Sequence, residues 1–464
     1  MTHCARRSFR SLLRDPDMLH GPILPSLAAF SVPIFLSMLF QNLYNTVDGI
    51  IVGRFLGEAA LAAVGAGGVV LNLLIGFANG VGTGMSMAIA RRYGAGDAAG
   101  VKRTAAACLV IGLAITLTLT VLGLVFLEDL LRLLNTPEEI FGEAERYIRI
   151  VVANIAVCFL YNVFCGMLKA LGNSVMPLVY LIISSGLNIL LDLLLVVALK
   201  RGVSGAAEAT VIAQAVSALC SGWYIFRRMP ALVPERAHFR FDRALYGDIA
   251  WAGVSVGLMN SIVMIGTLTL QYGINSLGTL TIAAHTAARK AFFFGGLPVQ
   301  TLGAAVSMFI SQNQGAGQYS RMRRAMGGCY LFNCCYAVVI TVVFWLIARP
   351  TMVFLTGSDH AEVIENGVRF MRFTAPFYMV LGTLAQTRFA LQGMGRKLMP
   401  MISSAIELVG KVIFTAALVP VFGYDAVIVC EPVIWCVMAA QLVISLFLQP
   451  ELRKGKQNRC QAGT

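Results

Sequence analysis

Two carboxylates stand where an apolar sequence has least reason to keep them. From Ile23 to Val52 the only ionisable side chains are Asp48 and the phenol of Tyr44, and in SSGLNILLDLLLV (184–196) the only charge is Asp192. An aspartate at the middle of a bilayer costs about 2.5 to 3.5 kcal/mol on insertion scales. Each has a hydrogen-bonding residue four positions earlier, Tyr44 before Asp48 and Asn188 before Asp192, which one helical turn places on the same face. Two carboxylates that meet in a dry bundle cannot comfortably both be ionised; they hold a proton or surround a cation with oxygen ligands. The chemistry on offer is ion binding and release, with plain hydrogen bonding between helices as the alternative. Pro33, fifteen residues before Asp48, removes a backbone hydrogen bond and permits its helix to bend there.

The second half of the chain has its own charges within apolar surroundings: Arg388, Glu407 and Lys411 one turn apart, and Glu431 before Pro432. Glu407 and Lys411 have the spacing of a local ion pair, which lowers the cost of burying both. A substrate or gating role for this group of four is the other reading. His285, Arg289 and Lys290 share a short stretch, where a lone membrane histidine reads first as a packing residue.

These residues need elements to hold them. Of the 464 residues, 58% are hydrophobic and only 13% charged, far from the charge content of soluble domains. A bilayer core of about 30 Å needs roughly 20 apolar residues per helix. Such runs place twelve transmembrane helices near 24–52, 61–88, 103–127, 146–170, 175–199, 204–226, 247–274, 281–308, 326–348, 366–391, 398–420 and 426–448. The runs are continuous rather than alternating, so the expected fold is an all-α polytopic membrane protein, not a barrel.

The net charge of +13 does not point to nucleic acid, because of where the charges fall. Arg6, Arg7, Arg10 and Arg14 precede the first helix; Arg91, Arg92, Lys102 and Arg103 lie between the second and third; Arg227, Arg228, Arg236, Arg240 and Arg243 follow the sixth. Arg321, Arg323 and Arg324 follow the eighth, Arg396 and Lys397 the tenth, and Arg453, Lys454, Lys456 and Arg459 the last. Alternating helices put all of these on one side, and the acids Glu128, Asp129, Glu138, Glu139, Glu143, Asp359, Glu362 and Glu365 on the other. That is the positive-inside pattern, with both termini expected to be cytoplasmic.

The chain also repeats itself. FLGEAALAAVGA (55–66) returns as SLGTLTIAAHTA (276–287) and YGAGD (93–97) as QGAGQ (314–318), both 221 residues later; LGNSVMP (171–177) returns as MGRKLMP (394–400) after 223. The expected organisation is a cytoplasmic segment 1–23, a first six-helix bundle 24–226, a basic linker 227–246, a second bundle 247–448 and a basic tail 449–464. An even number of helices makes the two bundles parallel repeats related by a pseudo-two-fold axis along the membrane normal, a plan used by transporters. Shifted by the repeat, Asp48 falls on Thr269, Asn188 on Lys411 and Asp192 on Thr415, so the acidic pair exists only in the first bundle. No zinc-protease HExxH and no Walker loop is present, so proteolysis and ATP hydrolysis find no residues here and no cofactor is expected.

QNLYNTVDGIIVGRFLGEAALAAVG, with ARRYGAGD, GNSVMP and SGLNILLDLLLV behind it, resembles the bacterial multidrug and toxic compound extrusion (MATE) transporters over residues 24 to 450. The resemblance implies drug efflux coupled to inward movement of H⁺ or Na⁺. It also implies a cation-coupling cluster of the DinF-like branch: Pro33, Tyr44 and Asp48 on the first helix, Asn188 and Asp192 on the fifth, and Thr210 on the sixth. A bound Na⁺ would be held by Asp48, Asn188, Asp192 and Thr210. The substrates expected are small amphipathic, cationic organic compounds, met in contact with membrane lipid, and a closed two-bundle monomer suffices. The alternative is a flippase or exporter of an amphiphilic lipid-linked substrate.

Overall fold

The computed structural model describes residues 16–133, 136–357 and 360–453. Arg6, Arg7, Arg10, Arg14, Asp359, Lys454, Lys456 and Arg459 lie outside the described residues, as does the side chain of Arg453. Helices account for nearly all of the described chain, and no strand occurs among the described residues. The spans are α1 (Ile23–Leu56), α2 (Glu58–Gly94), α3 (Ala98–Val125), α4 (Glu138–Ala153 and Ile155–Ala170), α5 (Val175–Asp192) and α6 (Gly202–Arg228). They continue as α7 (Arg243–Asn275), α8 (Thr279–Gly315), α9 (Tyr319–Thr356), α10 (Ala361–Thr374 and Tyr378–Gly393), α11 (Leu398–Ile413) and α12 (Tyr424–Phe447).

Among the described residues, ten helices are long and apolar enough to cross a membrane, or eleven when the two halves of α4, bent by 48° at Asn154, count as one span. The tenth expected span, α10, is not among them. Its first half carries Glu362, Glu365, Arg369 and Arg372 on one face of an amphipathic helix, and a turn at Ala375–Phe377, containing Pro376, separates it from the second. The helices also extend past the expected ends, α8 to Gly315 and α9 to Thr356.

The repeat is legible in the backbone. Gly57 and Gly278 precede α2 and α8 with φ of 91° and 94°, and Gly96 and Gly317 turn the chain into α3 and α9 with φ of 69° each. Only glycine enters this region cheaply, so each copy keeps it. In the first copy the Asp97 side chain then caps α3, accepting from the Gly100 amide at 2.8 Å. Both α5 and α11 end in a π-helical turn, Leu193–Ala198 and Phe414–Leu418.

The chain forms two compact units. One comprises Ala29–Ser261 with the described residues up to Gly21; the other comprises Pro22–Ala28 with the described residues from Ile262 onward. In the first unit α2 packs against both halves of α4, and α6 against α4 and α5. Small residues bring α7 close: a Cβ on Gly84 would lie 2.0 Å from the Ala252 carbonyl oxygen, and one on Gly80 2.7 Å from the Gly257 Cα. Glycines four apart on each helix, 80 and 84 facing 253 and 257, make this approach possible.

GVSVG (253–257), which has the lettering of a nucleophile elbow, therefore serves packing: Ser255 is fully buried in the middle of α7 and donates to the Ala252 carbonyl. The linker after α6 is tied to α3 by an ion pair of 2.6 Å between Lys102 and Glu235. That hydrogen bond holds the exposed Glu235 carboxyl below its usual range. In the second unit α8 packs against α9 and α10 around a cluster of Phe292, Tyr378, Phe370 and Trp435.

Candidate functional site: a buried acidic pair and a row of charges

Asp48 reaches the site from α1 and Asp192 from the last residue of α5, where the helix gives way to its π-helical turn. Such turns recur at functional sites because one extra residue re-aims the side chains around it. The two carboxyl groups are electrostatic neighbours, and no hydrogen bond joins them. Asp192 is wholly buried and Asn188 nearly so. Both carboxylate oxygens of Asp192, Oδ1 of Asp48 and both amide atoms of Asn188 are buried without a hydrogen-bond partner. An orphaned buried polar group costs about 1–3 kcal/mol, and five of them here form the largest such concentration in the first unit. An apolar cluster is built from the same helices: Val47, Ile51 and Val52 from α1, Ile189 from α5, and Tyr147, Ile148 and Val151 from α4 pack together with Val196.

Tyr44 lies beside Gln41, Cys158 and Asp48. Thr210, on α6, gives its hydroxyl to the Ala206 carbonyl of its own helix at 3.1 Å. Pro33 sits inside an otherwise continuous α1, and the Ser37 hydroxyl donates to its carbonyl at 2.8 Å. One neighbour of the pair is not marked by the sequence reading: Tyr147 of α4, whose phenol lies near Asp48, Tyr44 and Asp192. Its signal was available, since Ala144, Tyr147, Ile148, Val151 and Val152 form the buried stripe of an amphipathic segment and Tyr147 alone in it carries a polar end.

The four charges singled out in the second half come together in the second unit, with a fifth. Lys411 Nζ lies 2.9 Å from Glu407 Oε1 and 3.7 Å from Glu431 Oε1, and donates to Thr267 Oγ1 at 3.2 Å. Arg388 stands 3.7 Å from Glu407 and donates to Ser403 Oγ at 2.7 Å. Arg289 of α8 pairs with Glu431. The result is a row alternating in sign, Arg388, Glu407, Lys411, Glu431, Arg289, contributed by four helices. Sequence spacing reveals the Glu407–Lys411 step; the Arg289–Glu431 step, 142 residues apart, it does not.

A helical repeat with apolar outer surfaces and an uncompensated acid pair buried in one copy can bind and release an ion inside a membrane, which is the work of a transporter. The MatE family profile matches the chain twice, over residues 33–194 and 255–417. The chain belongs to this family, the MATE transporters, and is not an enzyme. It is similar to the probable multidrug resistance protein YoeA of Bacillus subtilis (strain 168), 28% identical over 83% of this chain and 84% of the relative. A crystal structure of a MATE protein in the bent conformation superposes with a TM-score of 0.86 at 26% identity, covering 96% of this chain and 98% of the other. One in the straight conformation superposes with a TM-score of 0.82 at 25% identity, covering 92% and 97%.

Proposed function

We propose that the protein is a secondary antiporter of the bacterial cytoplasmic membrane that exports amphipathic, cationic organic compounds in exchange for H⁺ or Na⁺ by alternating access. The observation that carries this reading is the acid pair: Asp48 and Asp192 are electrostatic neighbours beside an apolar cluster, and no basic side chain pairs with either among the described residues. A proton or a cation supplies the missing compensation. Uptake of the ion from outside neutralises the pair, α1 bends near Pro33, and the substrate is released; return of the ion to the cytoplasm resets the pair. The resistance phenotype in the name of the Bacillus subtilis relative supports drug export. That related proteins have been solved in bent and straight forms supports a fold with two states. Coupling then follows from differential affinity, since one site prefers its ion in one state and yields it in the other.

The substrate class is tested with wild-type protein in proteoliposomes, by measuring extrusion of a cationic dye such as ethidium in competition with cationic and with anionic amphiphiles. Cationic compounds are expected to be exported and to compete. Export of anionic amphiphiles alone would replace this reading with the lipid-linked flippase.

A further inference from the structure

The two repeats answer the same geometric problem with different chemistry. In the repeat register Asp48, Asn188 and Asp192 correspond to Thr269, Lys411 and Thr415. The structure keeps the meeting of the first and last: as Asp48 meets Asp192, so Thr415 Oγ1 donates to the Thr269 carbonyl at 3.4 Å. In both copies the π-helical turn lies at this place, beginning just after Asp192 and containing Thr415. Glycines on α7 let the α11 side chains lie against it, a Cβ on Gly266 falling 3.2 Å from Lys411 Cδ and one on Gly273 2.9 Å from Thr415 Cγ2.

The middle position differs most. Asn188 ends in a neutral amide; Lys411 extends an ammonium into an oxygen shell of Glu407, Glu431 and Thr267 at 2.9, 3.7 and 3.2 Å. Two carboxylates with a neutral oxygen donor are what a small cation selects. Arg388 and Arg289 face the two carboxylates from outside, and His285, on α8 next to Arg289, hydrogen-bonds to the Tyr424 hydroxyl at 3.3 Å. With side-chain exposures of 3% for Lys411, 10% for Glu407 and 8% for Glu431, the ammonium and its carboxylates are held out of water.

We propose that Lys411 is a tethered cation: standing at the register position of Asn188, its ammonium occupies an oxygen site of the second repeat's own, made by Glu407, Glu431 and Thr267, so only one repeat exchanges an ion with solution. Exchange in the first repeat rests on the coupling reading above; the occupancy of the Glu407–Glu431–Thr267 shell by an ammonium does not. The second unit is therefore permanently loaded. Ion stoichiometry is set by Asp48 and Asp192 alone.

The test is thermal unfolding of purified protein, reconstituted in nanodiscs, carrying Asp48→Asn and Asp192→Asn, so that no ion effect can arise in the first repeat. With Lys411 in place, Tm should not respond to methylammonium exchanged for choline at constant ionic strength. Lys411→Ala should lower Tm in choline, and methylammonium should restore it saturably, as a ligand of the native state does. Adding Glu407→Gln should remove the rescue. A Lys411→Ala protein whose Tm is unchanged in choline, or is lowered without rescue, overturns the proposal; the second result makes the row a clamp between helices.

If Lys411→Ala does not fold, Asn188→Lys in the otherwise native chain asks the reverse question: a tethered ammonium in the first repeat should leave the protein folded and abolish ion-dependent stabilisation. A folded Asn188→Lys protein that still responds to ions as wild type does overturns the proposal. Wild-type protein showing no ion response at all would count against the coupling reading and leave the methylammonium result to stand by itself.

Discussion

Asp48 on α1 and Asp192 on α5 are electrostatic neighbours beside an apolar cluster, and both carboxylate oxygens of Asp192 are buried without a hydrogen-bond partner. A contact of this kind opposes folding. Groups placed to stabilise the bundle would be satisfied, as Arg289 and Glu431 are in the second unit. Asp192→Asn is accordingly expected to leave Tm at neutral pH equal to or above that of wild type while transport falls at least about tenfold, because the amide carries no charge to compensate. Thermal unfolding in nanodiscs decides the matter. A loss of about 1–3 kcal/mol with normal transport is the signature of a merely structural hydrogen bond.

Tyr147 gives a sharper question because its ring and its hydroxyl have separable tasks. The ring belongs to the packed face of α4, while the hydroxyl end lies near Asp48, Tyr44 and Asp192. Tyr147→Phe should preserve Tm within roughly 1 kcal/mol and reduce transport severalfold, with a changed dependence on the driving ion. Unchanged transport at every ion concentration would remove Tyr147 from the site.

Pro33 lies within a continuous helix and cannot donate a backbone hydrogen bond, which leaves a weak point about three turns into α1. Pro33→Ala restores the donor and stiffens the helix. Ion binding, read as ion-dependent stabilisation, is expected to survive, while the turnover rate drops at least severalfold. Wild-type turnover in Pro33→Ala would mean that α1 does not bend there during the cycle.

The glycine contact between α2 and α7 has no slack. At Gly84 a Cβ would stand 2.0 Å from the Ala252 carbonyl oxygen, a backbone atom that cannot move aside alone. Gly84→Leu should cost more than about 3 kcal/mol or prevent folding, whereas Gly65→Ala, which meets nothing within 4 Å, should be tolerated. Comparable yield and Tm for the two variants would show that the helices separate easily.

Much of this was legible in the sequence for a simple physical reason. A charge in oil is conspicuous, so Asp48, Asp192, Glu407, Lys411 and Glu431 announce themselves, and a one-turn spacing discloses the Glu407–Lys411 pair. The repeat was readable because its turns demand glycine, and Gly57 and Gly278 both take positive φ. Two things were hidden. The first half of α4 carries Glu138, Glu139, Arg146 and Arg149, so the span is expected to begin only at 146, and the charges mask the helical period of the stripe that holds Tyr147 and packs against α2. The Arg289–Glu431 contact is long-range, and neither residue's neighbours along the chain name its partner.

The central claim is that the Asp48–Asp192 pair couples ion entry to substrate exit. The most direct test is ethidium transport in proteoliposomes by wild type, Asp48→Asn and Asp192→Asn, under separately imposed proton and sodium gradients and at matched reconstitution. Wild-type transport should follow one gradient, and both variants should lose at least about nine-tenths of it. Variants that transport at the wild-type rate under that same gradient would contradict the account.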